Sequence, residues 1–154
     1  MSSETTQDQT RIDDLRIKAV RPLITPAILE EWLPAPLAAQ KLVESSRKAI
    51  SQVLHGQDDR LVVVVGPCSI HDRDQALEYA RLLKAEAEKY AQDLLIVMRV
   101  YFEKPRTTVG WKGYINDPDM DDSFAINKGL GLARRLLLEV LDIGLPVGTE
   151  FLDL

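Results

Sequence analysis

Cysteine is almost missing from this 154-residue chain, which holds one, Cys68. A single thiol closes no internal disulfide, and that suits a reducing compartment. Long apolar runs are missing too. The longest runs, such as Leu61 to Val65, are five residues, against the roughly 18 a helix needs to cross a bilayer. The first ten residues, MSSETTQDQT, have neither a basic n-region nor an apolar h-region, so no secretory signal is expected. An excess of positive charge is absent as well. Nineteen Lys and Arg stand against 24 Asp and Glu, a net charge of −5, which argues against general binding to nucleic acid or anionic membranes. There is no low-complexity bulk, and 45% of the residues are hydrophobic, which excludes general disorder. The length suits one domain. The expectation is a soluble, cytoplasmic chain with no nucleic-acid and no membrane partner.

What is present reads as an α/β chain. Residues 1–12 are polar and expected to be a flexible tail. Residues 13–58 read as an arm and a helical extension. Thr25-Pro26 looks like an N-cap and first helical position, opening a helix through Trp32. Pro34 and Pro36 break it, and a second helix runs from Leu37 to about Leu54, with Gly56 as its C′ stop. From residue 59 the pattern changes. Leu61 to Val65 is a continuous β-branched run, expected to be a strand buried on both faces. Residues 72–91 read as an amphipathic helix capped by Asp72, with Ala76, Ala80, Leu83, Ala87 and Tyr90 inward. Leu94 to Met98 is a second strand continuing to Tyr101. A long loop follows, from about Glu103 to Asp122. Asp122 or Ser123 is expected to cap a helix carrying Ile126, Leu130, Ala133, Leu137 and Leu141 on one side, and Gly144 ends it. Pro146 to Phe151 reads as a third strand. Strand, helix, strand, helix, strand is the order of a parallel α/β sheet, with nothing after the third strand to cover it.

Ligands bind at the carboxyl ends of parallel strands. Three polar stretches fall there: Gly66 to His71, Arg99 to Thr108, and Glu150 to Asp153. The second is the most informative. Arg99, Lys104, Arg106 and Lys112 stand against Glu103 alone, a cationic segment in an acidic protein. Guanidinium forks and ammonium groups suit phosphate and carboxylate oxygens, and Thr107 and Thr108 add hydroxyls. The plain alternative is a solvated surface loop. A nucleic-acid surface, suggested by the interleaved Tyr101, Phe102 and Trp111, conflicts with the overall acidity. Cys68 is open to three readings: nucleophile, metal ligand or inert core thiol. Cys68-x-x-His71 permits a two-ligand grip, but no second Cys/His pair follows to complete a structural zinc site. His55 reads as a solvated group at a helix end. Asp117, Asp119, Asp121 and Asp122 lack the EF-hand ladder and read as a solvated loop and helix cap. Gly129-Leu-Gly131 lies inside a helical pattern, so it is no dinucleotide fingerprint. From the residues alone, the reading stops at a site for an anionic small molecule.

Three stretches resemble a known family. LVVVVGPCSIHD (61–72), IVMRVYFEKPRTTVGWKGYINDPDMD (96–121) and GLPVGTEFLD (144–153) are similar to the feedback-regulated bacterial 3-deoxy-D-arabino-heptulosonate 7-phosphate (DAHP) synthases, and DDLRIK (13–18) is similar to that family's N-terminal arm. The similarity runs from about residue 12 onward and covers only the N-terminal part of the family's sequence. It implies an N-terminal extension followed by the first three βα units of a TIM (β/α)8 barrel, here over 59–154 and incomplete. It implies the reaction of phosphoenolpyruvate with erythrose 4-phosphate and water, giving DAHP and phosphate, the first step of the shikimate pathway and aromatic amino acid biosynthesis.

The resemblance also implies roles residue by residue. Cys68 matches a ligand of a divalent metal that polarises the aldehyde. Arg99 and Lys104 match cationic contacts to phosphoenolpyruvate. Lys104, Pro105, Arg106 and Thr107 match the motif that holds erythrose 4-phosphate, and Glu150 an acidic residue near the phosphoenolpyruvate pocket. Asp13 and Asp14 match the regulatory arm, which in the family serves homo-oligomer contacts and an aromatic amino acid feedback inhibitor. The family's other metal ligands and several phosphate-binding cations have no counterpart in these 154 residues. The expectation is therefore a chain that is inactive by itself and does not hold the metal stably. Two competing expectations are a short regulatory chain docking on full-length synthase subunits and a generic anion-binding module.

Overall fold

The computed structural model describes residues 16–17, 20–104 and 110–150. The expected tail, Asp13 and Asp14 of the arm, Pro105, Arg106 and Thr107 of the loop, and the end of the third strand lie outside the described residues.

Two helices come first. Thr25 is extended, and its hydroxyl accepts from the Ile28 amide, so α1 (Pro26–Trp32) starts where the Thr-Pro pair predicts. After the Pro34 and Pro36 break, α2 runs Leu37–Leu54 and stops at His55, with Gly56 at φ 69°. Neither helix is deeply embedded: α1 has no buried residue and α2 has one, Ala39. The chain on either side of α1 is tied to the rest by side chains. Asn127 accepts from the Ile24 amide (2.9 Å) and donates to the Pro22 carbonyl (3.0 Å), while Arg134 donates to the Leu33 carbonyl (2.7 Å).

The sheet is parallel and ordered β1-β2-β3: β1 (Leu61–Val65), β2 (Leu94–Arg99) and β3 (Val147–Gly148). The register pairs Leu61 with Leu94 through Val65 with Met98, and Met98 with Val147. The crossovers are α3 (Arg73–Lys89), capped by the Asp72 carboxylate on the Gln75 amide, and α4 (Ile126–Asp142). These alternating units are the α/β pattern expected from the sequence.

The core lies between the sheet, α3 and α4. Met98, Val100, Leu136, Val140 and Leu145 are fully buried there with Ala80, Phe102 and Ile70. Each large apolar side chain so buried contributes about 1.5–3 kcal/mol relative to exposure. Arg73 on α3 and Glu139 on α4 form a two-pronged pair, both contacts 2.8 Å, which raises the guanidinium pKa through the hydrogen bonds to Glu139.

Three expectations are corrected. β1 is not buried on both faces: Leu61 is 65% and Val64 57% exposed, because β1 is the edge strand and only β2 flanks it. Neither Asp122 nor Ser123 caps α4. Its N-cap is Ala125, without a side-chain bond, and Asp122 and Ser123 precede that position in a turn whose amides bond to Asp117 and Asp121. The buried stripe of α4 is Gly129, Ala133, Leu136 and Val140, turned from the expected one and sharing Ala133 with it. The helix rolls to follow the sheet and the loop that precedes it.

Candidate functional site

The three strands end side by side, and the polar stretches after them meet. After β1 the chain turns at Gly66-Pro67, where a Cβ on Gly66 would run into the Arg99 backbone. Glycine lets the turn lie directly on the end of β2. Arg99, the last residue of β2, reaches back over that turn. Its Nε donates to the Pro67 carbonyl (3.2 Å), and its Nη2 to the carbonyls of Gly66 and Pro67 (3.0 Å each). The guanidinium also sits 5.1 Å from the centre of the Tyr101 ring, a cation–π distance. The Ile70 amide donates to the Tyr101 carbonyl (2.7 Å), holding the rest of the first loop alongside. Arg99 is thereby fixed in position without a carboxylate partner in its hydrogen bonds to this turn.

Lys104 comes in over the same loop. Its ammonium donates to the Cys68 sulfur at 3.4 Å, and the thiol is exposed. The structure thus joins residues 36 apart in sequence and removes the inert-core reading of Cys68.

The backbone that carries Lys104 is held from two sides. On one, Glu150 follows β3, and its Oε1 accepts from the amides of Phe102 (2.7 Å) and Glu103 (2.8 Å), while Oε2 accepts from Thr149 Oγ1 (3.1 Å). On the other, the loop returns antiparallel. Glu103 bridges Gly113, the Lys104 amide donates to the Lys112 carbonyl (3.1 Å), and the Tyr114 amide to the Phe102 carbonyl (2.6 Å). Gly113 has φ 118°, and a Cβ there would run into the Phe102 carbonyl. Asn116 donates to the Glu103 carboxylate. Tyr114 stacks on Phe102 at 6.1 Å, and burial pushes its phenol pKa above the ordinary 10.0.

Asp117 corrects the reading of the acidic run as a solvated loop. It is 2% exposed, the one buried charged residue among those described. Its carbonyl accepts from the Trp111 indole (2.7 Å) and its Oδ2 from the Asp122 amide (3.2 Å), while Oδ1 has no hydrogen-bond partner among the described residues. It closes a loop in which Met120, Asp122 and Phe124 all have positive φ, a strained backbone that the surroundings must enforce. Asp119 pairs with Lys128, and hydrogen bonding from the Ser123 side chain, then from its amide, holds the Asp121 carboxyl below the ordinary 3.8. No sequence signal sets Asp117 apart from its neighbours. Its indole partner is six residues away and outside any known spacing.

Cys68, Arg99, Lys104 and Glu150 therefore converge at the carboxyl end of the sheet. Among the described residues no three His, Cys, Asp or Glu side chains come together to hold a metal. Cys68 is a suitable soft donor, but one thiolate does not hold a divalent ion.

Residues 35–154 match the DAHP synthetase I family. The chain belongs to that family. The Phe-sensitive phospho-2-dehydro-3-deoxyheptonate aldolase of Escherichia coli K12 is 59% identical over 142 residues, 92% of this chain and 41% of that protein. A phospho-2-dehydro-3-deoxyheptonate aldolase of Amycolatopsis methanolica is 56% identical over 142 residues, 92% of this chain and 70% of that protein. The solved structure of the Francisella tularensis phospho-2-dehydro-3-deoxyheptonate aldolase superposes with a TM-score of 0.85 at 55% identity, over 89% of this chain and 40% of that one. The chain spans about 40% of the length of the E. coli and F. tularensis relatives. The α/β units described above are those of the family's barrel, as far as the chain extends.

No described helix is long and apolar enough to cross a membrane.

Proposed function

We propose that these residues form one side of a DAHP synthase active site, for the reaction of phosphoenolpyruvate with erythrose 4-phosphate and water to give DAHP and phosphate. The observation that supports this most is the meeting of Cys68, Arg99 and Lys104 at the ends of β1 and β2. Two phosphorylated substrates need fixed cations, and fixing them beforehand avoids reorganisation at the moment of reaction. Arg99, held by two carbonyls and a ring face, is a rigid donor for the carboxylate or phosphate of phosphoenolpyruvate. Lys104 supplies a second charge beside it, with Pro105, Arg106 and Thr107 continuing the motif toward erythrose 4-phosphate. Glu150 acts by fixing the Phe102 and Glu103 amides, and so positions Lys104. Cys68 is one ligand of a divalent metal, whose remaining ligands these residues do not supply. The aromatic feedback inhibitor and the homo-oligomer belong to the same reading.

The test joins this chain in one polypeptide to the part of the E. coli Phe-sensitive relative that lies beyond the matched segment. The expected result is phosphate release that requires both substrates, lowered about 100-fold or more by Lys104→Met. A Lys104→Met variant at full rate would remove the site assignment. The 154-residue chain alone is expected to show no turnover. Metal-dependent condensation by the purified chain would overturn that expectation.

A further inference from the structure

Arg99 and Tyr101 stand two residues apart on extended backbone, so their side chains share one side of the strand. Val100 between them is fully buried, and its amide donates to the Gly148 carbonyl (2.8 Å), which carries the alternation of β2 past its end. Together the two residues bracket Cys68. Ahead of it, the carbonyls of Gly66 and Pro67 accept from Arg99. Behind it, the Ile70 amide donates to the Tyr101 carbonyl, and the Ile70 side chain is buried. An arginine usually reads a carboxylate or phosphate with two parallel bonds from its fork. Here the Nε and Nη2 edge is spent on the Pro67 carbonyl, and Nη2 reaches Gly66 as well. Nη1 makes no hydrogen bond to a described residue. The Tyr101 ring, 5.1 Å from the guanidinium carbon, supports the plane from one face.

We propose that Arg99, backed by the Tyr101 ring, is the positioning residue of the loop that carries Cys68, and that it meets an anion through Nη1 alone. One rigid plane then holds the loop on one edge and the anion on the other, and so sets the place of the anion relative to Cys68. Lysine cannot do both, because its ammonium is a single point of charge without a planar fork. The identity of the anion rests on the reading above; the hold on the loop does not.

The hold is read by amide exchange at Ile70 in the 154-residue chain with no substrate present, where a residue that only binds substrate would have no effect. Arg99→Lys is expected to speed that exchange about tenfold or more, while the Leu136 and Val140 amides of α4 stay within about twofold. Tyr101→Leu is expected to speed it about threefold, and Tyr101→Phe, which keeps the ring, to restore it. The Tyr101 pair carries the decision if the Arg99→Lys chain loses its cooperative melt, since the Ile70 bond goes to backbone in every variant. Unchanged exchange at Ile70, equal speeding at Leu136 and Val140, or a Tyr101→Phe chain as fast as Tyr101→Leu would each overturn the proposal. In the fusion with the E. coli segment, Tyr101→Leu is expected to raise KM for phosphoenolpyruvate about threefold, with KM for erythrose 4-phosphate within about twofold and Tyr101→Phe restoring the first. Faster loop exchange with both KM values unmoved would overturn the link to the anion. An inactive fusion whose Ile70 exchange still follows Arg99 and Tyr101 keeps the hold and removes the enzymatic reading. An active fusion whose Ile70 exchange ignores both residues does the reverse.

Discussion

β1 and β2 are adjacent, parallel and nearly alike in composition, LVVVV against LLIVMR, yet one is open and the other sealed. Met98 is fully buried while Val64 is 57% exposed. The difference lies in what flanks each strand. β2 has β1 on one side, β3 on the other and α3 packed across it, whereas β1 has β2 and a light contact with α2. A strand's apolar character states that it can be buried, and its neighbours state whether it is. The same contrast separates α4, with four buried residues, from α1, with none.

The comparison predicts a graded series of stabilities. Met98→Ala should cost the most, about 2–5 kcal/mol by urea denaturation, because it empties a filled position between sheet and helices. A cost under about 0.5 kcal/mol would mean that β2 is as loosely held as β1. Gly113→Ala should come next, above about 1 kcal/mol, since it demands φ 118° of a residue with a Cβ aimed at the Phe102 carbonyl. Faster amide exchange at Lys104 and Tyr114 would accompany it and mark the loss of the return strand.

Tyr114 gives a smaller effect with a fixed sign. Burial raises its folded pKa above the ordinary 10.0, so the neutral phenol favours the folded state. Its contribution is complete below pH 10.0 and is lost as pH rises through the raised folded value. Thermal melts should fall more steeply above pH 10.0 for the unmodified chain than for Tyr114→Phe, and equal slopes would remove burial as the cause. Val64→Thr should do least, within about 0.5 kcal/mol in the isolated chain. If it approached the cost of Met98→Ala, β1 would be covered in solution by something the chain provides for itself.

Element bounds were legible where local chemistry decides them. Thr25-Pro26 opens α1, Gly56 follows α2, Asp72 caps α3, and Gly144 at φ 85° ends α4. The start of α4 was misjudged because Asp122 and Ser123 have the chemistry of caps, but they stand before the N-cap position, in a turn bound to Asp117 and Asp121. Its buried stripe was misjudged because periodicity defines an apolar sector and packing selects the part of it that is used.

The candidate site divides in the same way. Cys68, Arg99, Lys104 and Glu150 stand out in the sequence by residue type and by their place after strands. How they are held does not. Arg99 rests on the Gly66 and Pro67 carbonyls, more than thirty residues back, and Glu150 grips two amides nearly fifty residues back. The burial of Asp117 was likewise invisible, since it depends on how a strained loop closes around an indole.

By itself the sequence determined the order of strands and helices, most of their ends, and which residue types stand at the carboxyl end of the sheet. Those depend on backbone preference, capping and periodicity, which act over a few residues. The tertiary structure decided that β1 lies open, that Asp117 is buried, and that Glu150 serves the backbone beneath Lys104. Those depend on which distant segments arrive beside a residue, and short-range chemistry does not encode that.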